Sequence, residues 1–143
     1  MHITPGMLVL MLVTLNSATL SAQSGIQGTW TLDIDKSIAQ MDNADQLRYD
    51  TLPDETKTRA KNSMRSRQFI FSEDGSCTIN WRARGESRTS TGSWSTNASD
   101  QTLQLIVEGQ SYDYNYEQPN RNTLILTPHN KDGVFNILYF KKD

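Results

Sequence analysis

Short runs of alternating apolar and polar residues extend from residue 28 to residue 140, interrupted at near-even intervals by turn-forming residues. This rhythm confines the chain to an all-β fold. In the first run, residues 28–34, Trp30, Leu32 and Ile34 share one face, while Thr29, Thr31 and Asp33 share the other. Gly28 leaves room for neighbouring backbone beside the Trp30 indole. Asp74-Gly75, a strong hairpin signal, separates the runs 67–71 and 77–84. Gly85-Glu86 leads into 87–95, residues 97–100 into 103–108, and Gly109-Gln110 into 112–116. Residues 119–122 precede 123–127, and residues 130–133 introduce the last run, 134–140. These are eight strands, seven of them joined in sequence by short turns. The spacing predicts an eight-stranded antiparallel up-and-down barrel, closed so that no edge stays unpaired. Eight strands enclose room for one small ligand, or for side chains alone.

One stretch breaks the alternation. Residues 36–64 predict a helical insertion between the first and second strands, with Ser37 as a cap and Ile38, Met41 and Ala44 or Leu47 as its apolar positions. Pro53 starts a second helix, with Asp54 and Glu55 beside its positive end. Thr56, Ala60 and Met64 give that helix a narrow apolar stripe, so it should lie on the barrel and not inside it.

Ahead of the barrel, residues 7–15 form an apolar run followed by small and polar residues up to Ala22. The run is far shorter than the roughly 20 residues of a membrane span. It reads as a secretory signal, residues 1–22, cut after Ala22, and leaves a single domain, 23–143, in a secreted or periplasmic setting. His2 is present but no Lys or Arg precedes the run, so an uncleaved N-terminal anchor is the alternative. Cys77 is the one cysteine, which excludes an intramolecular disulfide. Its parity with Ile79 and Trp81 makes it a small buried hydrophobe.

Charge is nearly balanced overall but uneven along the chain. Residues 57–88 carry eight bases against three acids, and the residues before Lys57 carry seven acids against Lys36 and Arg48. Solvated faces of opposite sign account for this; attraction of an anionic ligand or surface to the basic third is the functional reading. The slightly acidic total and the export signal argue against nucleic acid as a partner.

Gly28-Thr29-Trp30 on a first strand, echoed by Gly92-Ser93-Trp94 in mid-chain, resembles the calycin superfamily, and most of all the small secreted lipocalin-like domains of bacteria. The resemblance spans the mature chain and implies a barrel that carries a small molecule without catalysis. The helical pair after the first strand is similar to the lid of intracellular fatty-acid-binding proteins. Their Arg-x-Tyr carboxylate grip corresponds to Ile137-Leu138-Tyr139, which keeps the tyrosine and lacks the arginine. The lipocalin Thr-Asp-Tyr turn is not matched, since Tyr112-Asp113-Tyr114 falls within a strand. The lipocalin last-strand arginine that packs over the first tryptophan is absent; Lys141-Lys142 stand there.

Strand parity picks out a candidate site. Arg88, Ser90 and Gly92 share the face of Trp94, so an inward Trp94 brings a guanidinium and a hydroxyl with it. A buried guanidinium needs a carboxylate, water at the barrel mouth, or an anionic ligand; otherwise Arg88 lies beyond the rim in solvent. Tyr112, Tyr114 and Tyr116 share one face and either line a cavity or fill the core. Phe69, Phe71, Trp81, Leu103, Leu105, Val107, Leu124 and Leu126 are assigned to the interior by the same alternation.

The expected ligand-binding set is Arg88, Ser90, Trp94, Trp81, Tyr112 and Tyr114, with Gly28, Trp30 and Gly92 in structural roles. The expected partner is a small hydrophobic or amphipathic molecule, anionic where it meets arginine. Catalytic material is sparse. His129 is the sole histidine of the mature chain and sits in a turn, while Asp33 and Asp35 fall on the outer face of the first strand. The expectation is therefore a binding protein without metal or cofactor. The alternative is a side-chain-filled barrel acting as a protein-interaction or inhibitor module, and a small hydrolase or isomerase comes third. Asn97-Ala98-Ser99 is a glycosylation sequon that has meaning only in a eukaryotic source.

Overall fold

Each alternating run becomes a strand that turns its apolar face inward. The computed structural model describes residues 24–130 and 136–143, so the expected signal segment 1–22 and the start of the expected last strand at Val134 lie outside the described residues. The strands are β1 (Gly28–Leu32), β2 (Gln68–Phe71), β3 (Ser76–Ala83), β4 (Glu86–Asn97), β5 (Thr102–Val107), β6 (Gln110–Asn120), β7 (Thr123–Pro128) and β8 (Leu138–Lys142). They form a closed antiparallel barrel in chain order, sealed where Trp30 and Leu32 of β1 pair with Lys142 and Phe140 of β8.

β1 ends two residues earlier than its alternation suggests. Asp33 leaves the strand because its carboxylate accepts the backbone N–H of Lys36 at 3.2 Å and caps a helix. Ile34 and Asp35 therefore belong to α1 (Ile34–Ala39), and Asp33 and Asp35 are not paired on an outer strand face. Two more helices follow, α2 (Asn43–Asp50) and α3 (Asp54–Arg65). Ser37 is not a cap. It is buried inside α1, where its Oγ donates to the Asp33 carbonyl and accepts the Tyr139 N–H, both at 2.9 Å, and so ties the helix to β8. On α2 the buried residues are Asp45 and Tyr49, with Asn136 donating to the Asp45 carboxylate; Leu47 is 65% exposed. The α3 stripe behaves as expected, with Met64 packed against the barrel core. β8 starts at Leu138, later than the alternation predicts.

The barrel end at which β1 begins is closed by its two tryptophans. A single 3₁₀ turn, Ser24–Ile26, folds beneath it, and the Trp30 indole N–H donates to the Ile26 carbonyl at 2.8 Å. The Trp94 indole N–H donates to the Ser72 carbonyl at 2.8 Å, and its ring lies 5.2 Å from that of Phe71. Lys142 Nζ sits 5.5 Å over the Trp30 ring, so a last-strand lysine makes the cation–π cover. Above this plug Leu103, Leu105, Leu124, Leu126, Phe71 and Phe140 are all but inaccessible to solvent. Phe69 stacks on Phe140 with ring centroids 4.9 Å apart. Side chains therefore fill this part of the barrel. Of the expected interior residues, Trp81 alone is only half-buried.

The two motif glycines serve different needs. Gly28 has φ +126°, a backbone conformation closed to most side chains, and the atom nearest a hypothetical Cβ belongs to the Lys142 side chain, not to neighbouring backbone. Close backbone approach occurs at Gly92, where a Cβ would lie 2.0 Å from the Ile106 carbonyl oxygen. Gly92→Ala must push β4 from β5 and should cost about 1–3 kcal/mol or more, read as a lower denaturant midpoint.

In the β2–β3 turn, Ser76 donates to the Asp74 carboxylate through its hydroxyl at 2.6 Å and its N–H at 2.9 Å, which holds the carboxyl below its ordinary pKa. A group depressed in this way adds stability at neutral pH that is lost as pH falls through its folded value. Asp74→Ala should therefore be less stable than the parent at neutral pH, with the two denaturation midpoints converging as the buffer is acidified through the carboxylate range.

Candidate functional site

At the barrel end opposite the tryptophan plug, one hairpin outgrows the wall beside it. The β3–β4 ladder continues from Ser76–Ser93 to Ala83–Glu86, whereas β4 pairs with β5 only from Gly92–Val107 onward. The first half of β4 thus projects past the β5–β6 turn. A cleft of about 460 Å³ opens in this mouth, lined by the apolar Phe69, Ile79 and Val107, by the rings of Trp81, Tyr112 and Tyr114, and by the polar residues Arg67, Ser90, Glu108 and Gln110. Its size lies in the lower range of small-molecule sites.

Four of the residues expected at a site meet here: Trp81, Ser90, Tyr112 and Tyr114. Ser90 is buried and donates its hydroxyl to Glu108 Oε1 at 2.9 Å. That contact bridges β4 and the β5–β6 turn where the backbone ladder has ended. Glu108 and Gly109 both have positive φ, as a two-residue type I′ hairpin requires, and a glutamate is an unusual choice for the first position. Tyr112 is 42% exposed and donates to Gln110 Oε1 at 2.7 Å. Tyr114 packs against the core, and burial pushes its phenol above the usual tyrosine range, with Arg67 pulling the other way.

Arg88 and Trp94 are not brought into the cleft. The parity argument for β4 is correct, but it carries Arg88 beyond the point where β5 stops. There its side chain is about half exposed and lies 3.7 Å from Glu86. Trp94 belongs to the plug at the other end.

The cation of the mouth is Arg67, one residue before β2 and in step with Phe69 and Phe71. Its backbone carbonyl accepts the Leu32 N–H at 3.0 Å, which aligns it with the barrel wall, and its N–H donates to the Met64 carbonyl at the end of α3. The buried Nε has no hydrogen-bond partner, and among the described residues no carboxylate lies within ion-pair distance of the guanidinium. Burial pulls its pKa below the usual arginine value, with Tyr114 opposing. Sequence reasoning missed Arg67 although the signal was there: the alternation that turns Phe69 and Phe71 inward does the same for residue 67.

The cleft offers one desolvated cation, apolar side chains and several hydroxyls. It holds no pair of carboxylates, and His129 lies outside it, exposed and bonded through Nε2 to Asn115. Among the described residues no group of three or more His, Cys, Asp or Glu side chains could hold a metal ion, and no helix is long and apolar enough to cross a membrane.

No protein-family model matches the chain, and no curated protein matches it significantly. Among solved structures, it is similar to a DUF4847 family protein from Bacteroides vulgatus ATCC 8482, at 18% sequence identity and a TM-score of 0.48, over 82% of this chain and 93% of that one.

Proposed function

We propose that this protein is a non-catalytic carrier that binds a small amphipathic molecule in the barrel mouth, its anionic group against Arg67 and its apolar part on Phe69, Ile79 and Val107. The buried Arg67 Nε without a partner carries this reading. A buried guanidinium N–H left without an acceptor costs about 1–3 kcal/mol, and a bound carboxylate, sulfonate or phosphate would offset that cost where no protein group does. Because side chains fill the interior beneath, the ligand sits in the mouth and does not thread the barrel. The setting we propose is extracytoplasmic, in keeping with the apolar run at residues 7–15 followed by small residues. The filled core also favours a second reading, a scaffold that works through its outer surface, in which Arg67 has no anionic partner at all.

The two readings separate on one substitution. Arg67→Met removes the charge while keeping an apolar side chain of similar length, so it should leave the denaturation midpoint unchanged or raise it. In the carrier it should also weaken decanoate binding, followed through Trp81 fluorescence, by about tenfold or more. Decanol binding should change little. Saturable decanoate binding that is equal in parent and variant, or absent from both, overturns the carrier reading.

A further inference from the structure

We propose that the groove between α3 and the β3–β4 hairpin is a second binding site, for a small molecule bearing two or more phosphate or sulfate groups. The groove has a volume of about 460 Å³ and shares no lining residue with the barrel mouth. Arg59 and Arg65 reach it from α3, and Arg82 and Arg84 from the hairpin; no carboxylate lines it. Among the described residues, Arg65, Arg82 and Arg84 have no ion pair, and the one carboxylate near Arg59, Glu55 at 3.6 Å, is almost fully in solvent, as is most of Arg59. Four like charges around one concavity repel one another, and a multiply charged anion relieves that repulsion while gaining from each guanidinium.

One contact restrains a cation, and the turn carries an unusual residue. Arg82 Nη2 donates to the Gly85 carbonyl at 2.8 Å, which lays the side chain across the hairpin tip. Arg84 occupies the first turn position with φ +53°, where glycine or asparagine would be unstrained. Ser66, which also lines the groove, has a buried Oγ with no hydrogen-bond partner. Guanidinium groups favour tetrahedral oxyanions, which they can grip through two N–H groups at once, over simple halides.

Calorimetric titration of the intact protein with inorganic pyrophosphate and, separately, with sucrose octasulfate tests this. One-site saturable binding of at least one probe is expected, and the preferred probe identifies the group as phosphate or sulfate. Arg82→Gln combined with Arg84→Gln should weaken binding by about tenfold or more per guanidinium. The charge-matched pair Arg88→Gln with Arg121→Gln, both exposed and outside the groove, should change it only as much as added salt does. Unchanged denaturation midpoints in both double variants would show that folding is not what is measured. Absence of saturable binding for both probes, or equal weakening by the two pairs, overturns the proposal. Arg67→Met leaves the groove intact, so the outcome stands apart from that at the barrel mouth.

Discussion

Closure of the sheet by β1 against β8 is the constraint on which the rest of the molecule depends. β1 is only five residues long, yet it pairs on both sides, with β2 through Phe69 and Phe71 and with β8 through Phe140 and Lys142. Once the ring is closed, Trp30 lies at its centre and its indole N–H requires an internal acceptor, which the Ile26 carbonyl supplies. Closure also brings Lys142 over the same ring from the far end of the chain. The tryptophan plug, the aromatic stack above it and the absence of free edges all follow from that pairing.

The helical insertion is bound to this closure. Ser37 spans the junction of α1 and β8, satisfying one backbone group on each, and the Asp33 N–H donates to the Tyr139 carbonyl at 2.7 Å beside it. α3 then delivers the chain to β2 with Arg67 at the boundary between helix and strand. That junction is where the barrel's apolar alternation first admits a charge. The end of the insertion thus supplies the mouth with its cation, while two tryptophans fill the barrel interior at the opposite end.

Much of this was legible in the residues. Strand parity correctly assigned Phe69, Phe71, Leu103, Leu105, Val107, Leu124 and Leu126 to the interior, and Cys77 with them. Parity put Ser90 on one strand face and, separately, Tyr112 and Tyr114 on another; their meeting depends on β5, which joins the two strands. It left Arg88 open between the mouth and the solvent beyond the rim, where the structure puts it, because alternation says which face a side chain is on and nothing about how far the neighbouring strand extends. The end of β1 was misjudged for a related reason: Asp33 fits an alternating strand and a helix cap equally well, and the bond to the Lys36 N–H decides between them.

The sequence by itself determined the all-β class, the number and order of the strands, the position of the helical insertion and the inward faces. Each is a local pattern of period two or its interruption, written in consecutive residues. Only the tertiary structure decided where the open volume lies and which cation faces it. The depth of a barrel wall depends on where separate ladders end, and a guanidinium's partners come from segments distant in the chain. Arg67 and Arg88 obey the same alternation, and what separates them is that β5 stops at Val107.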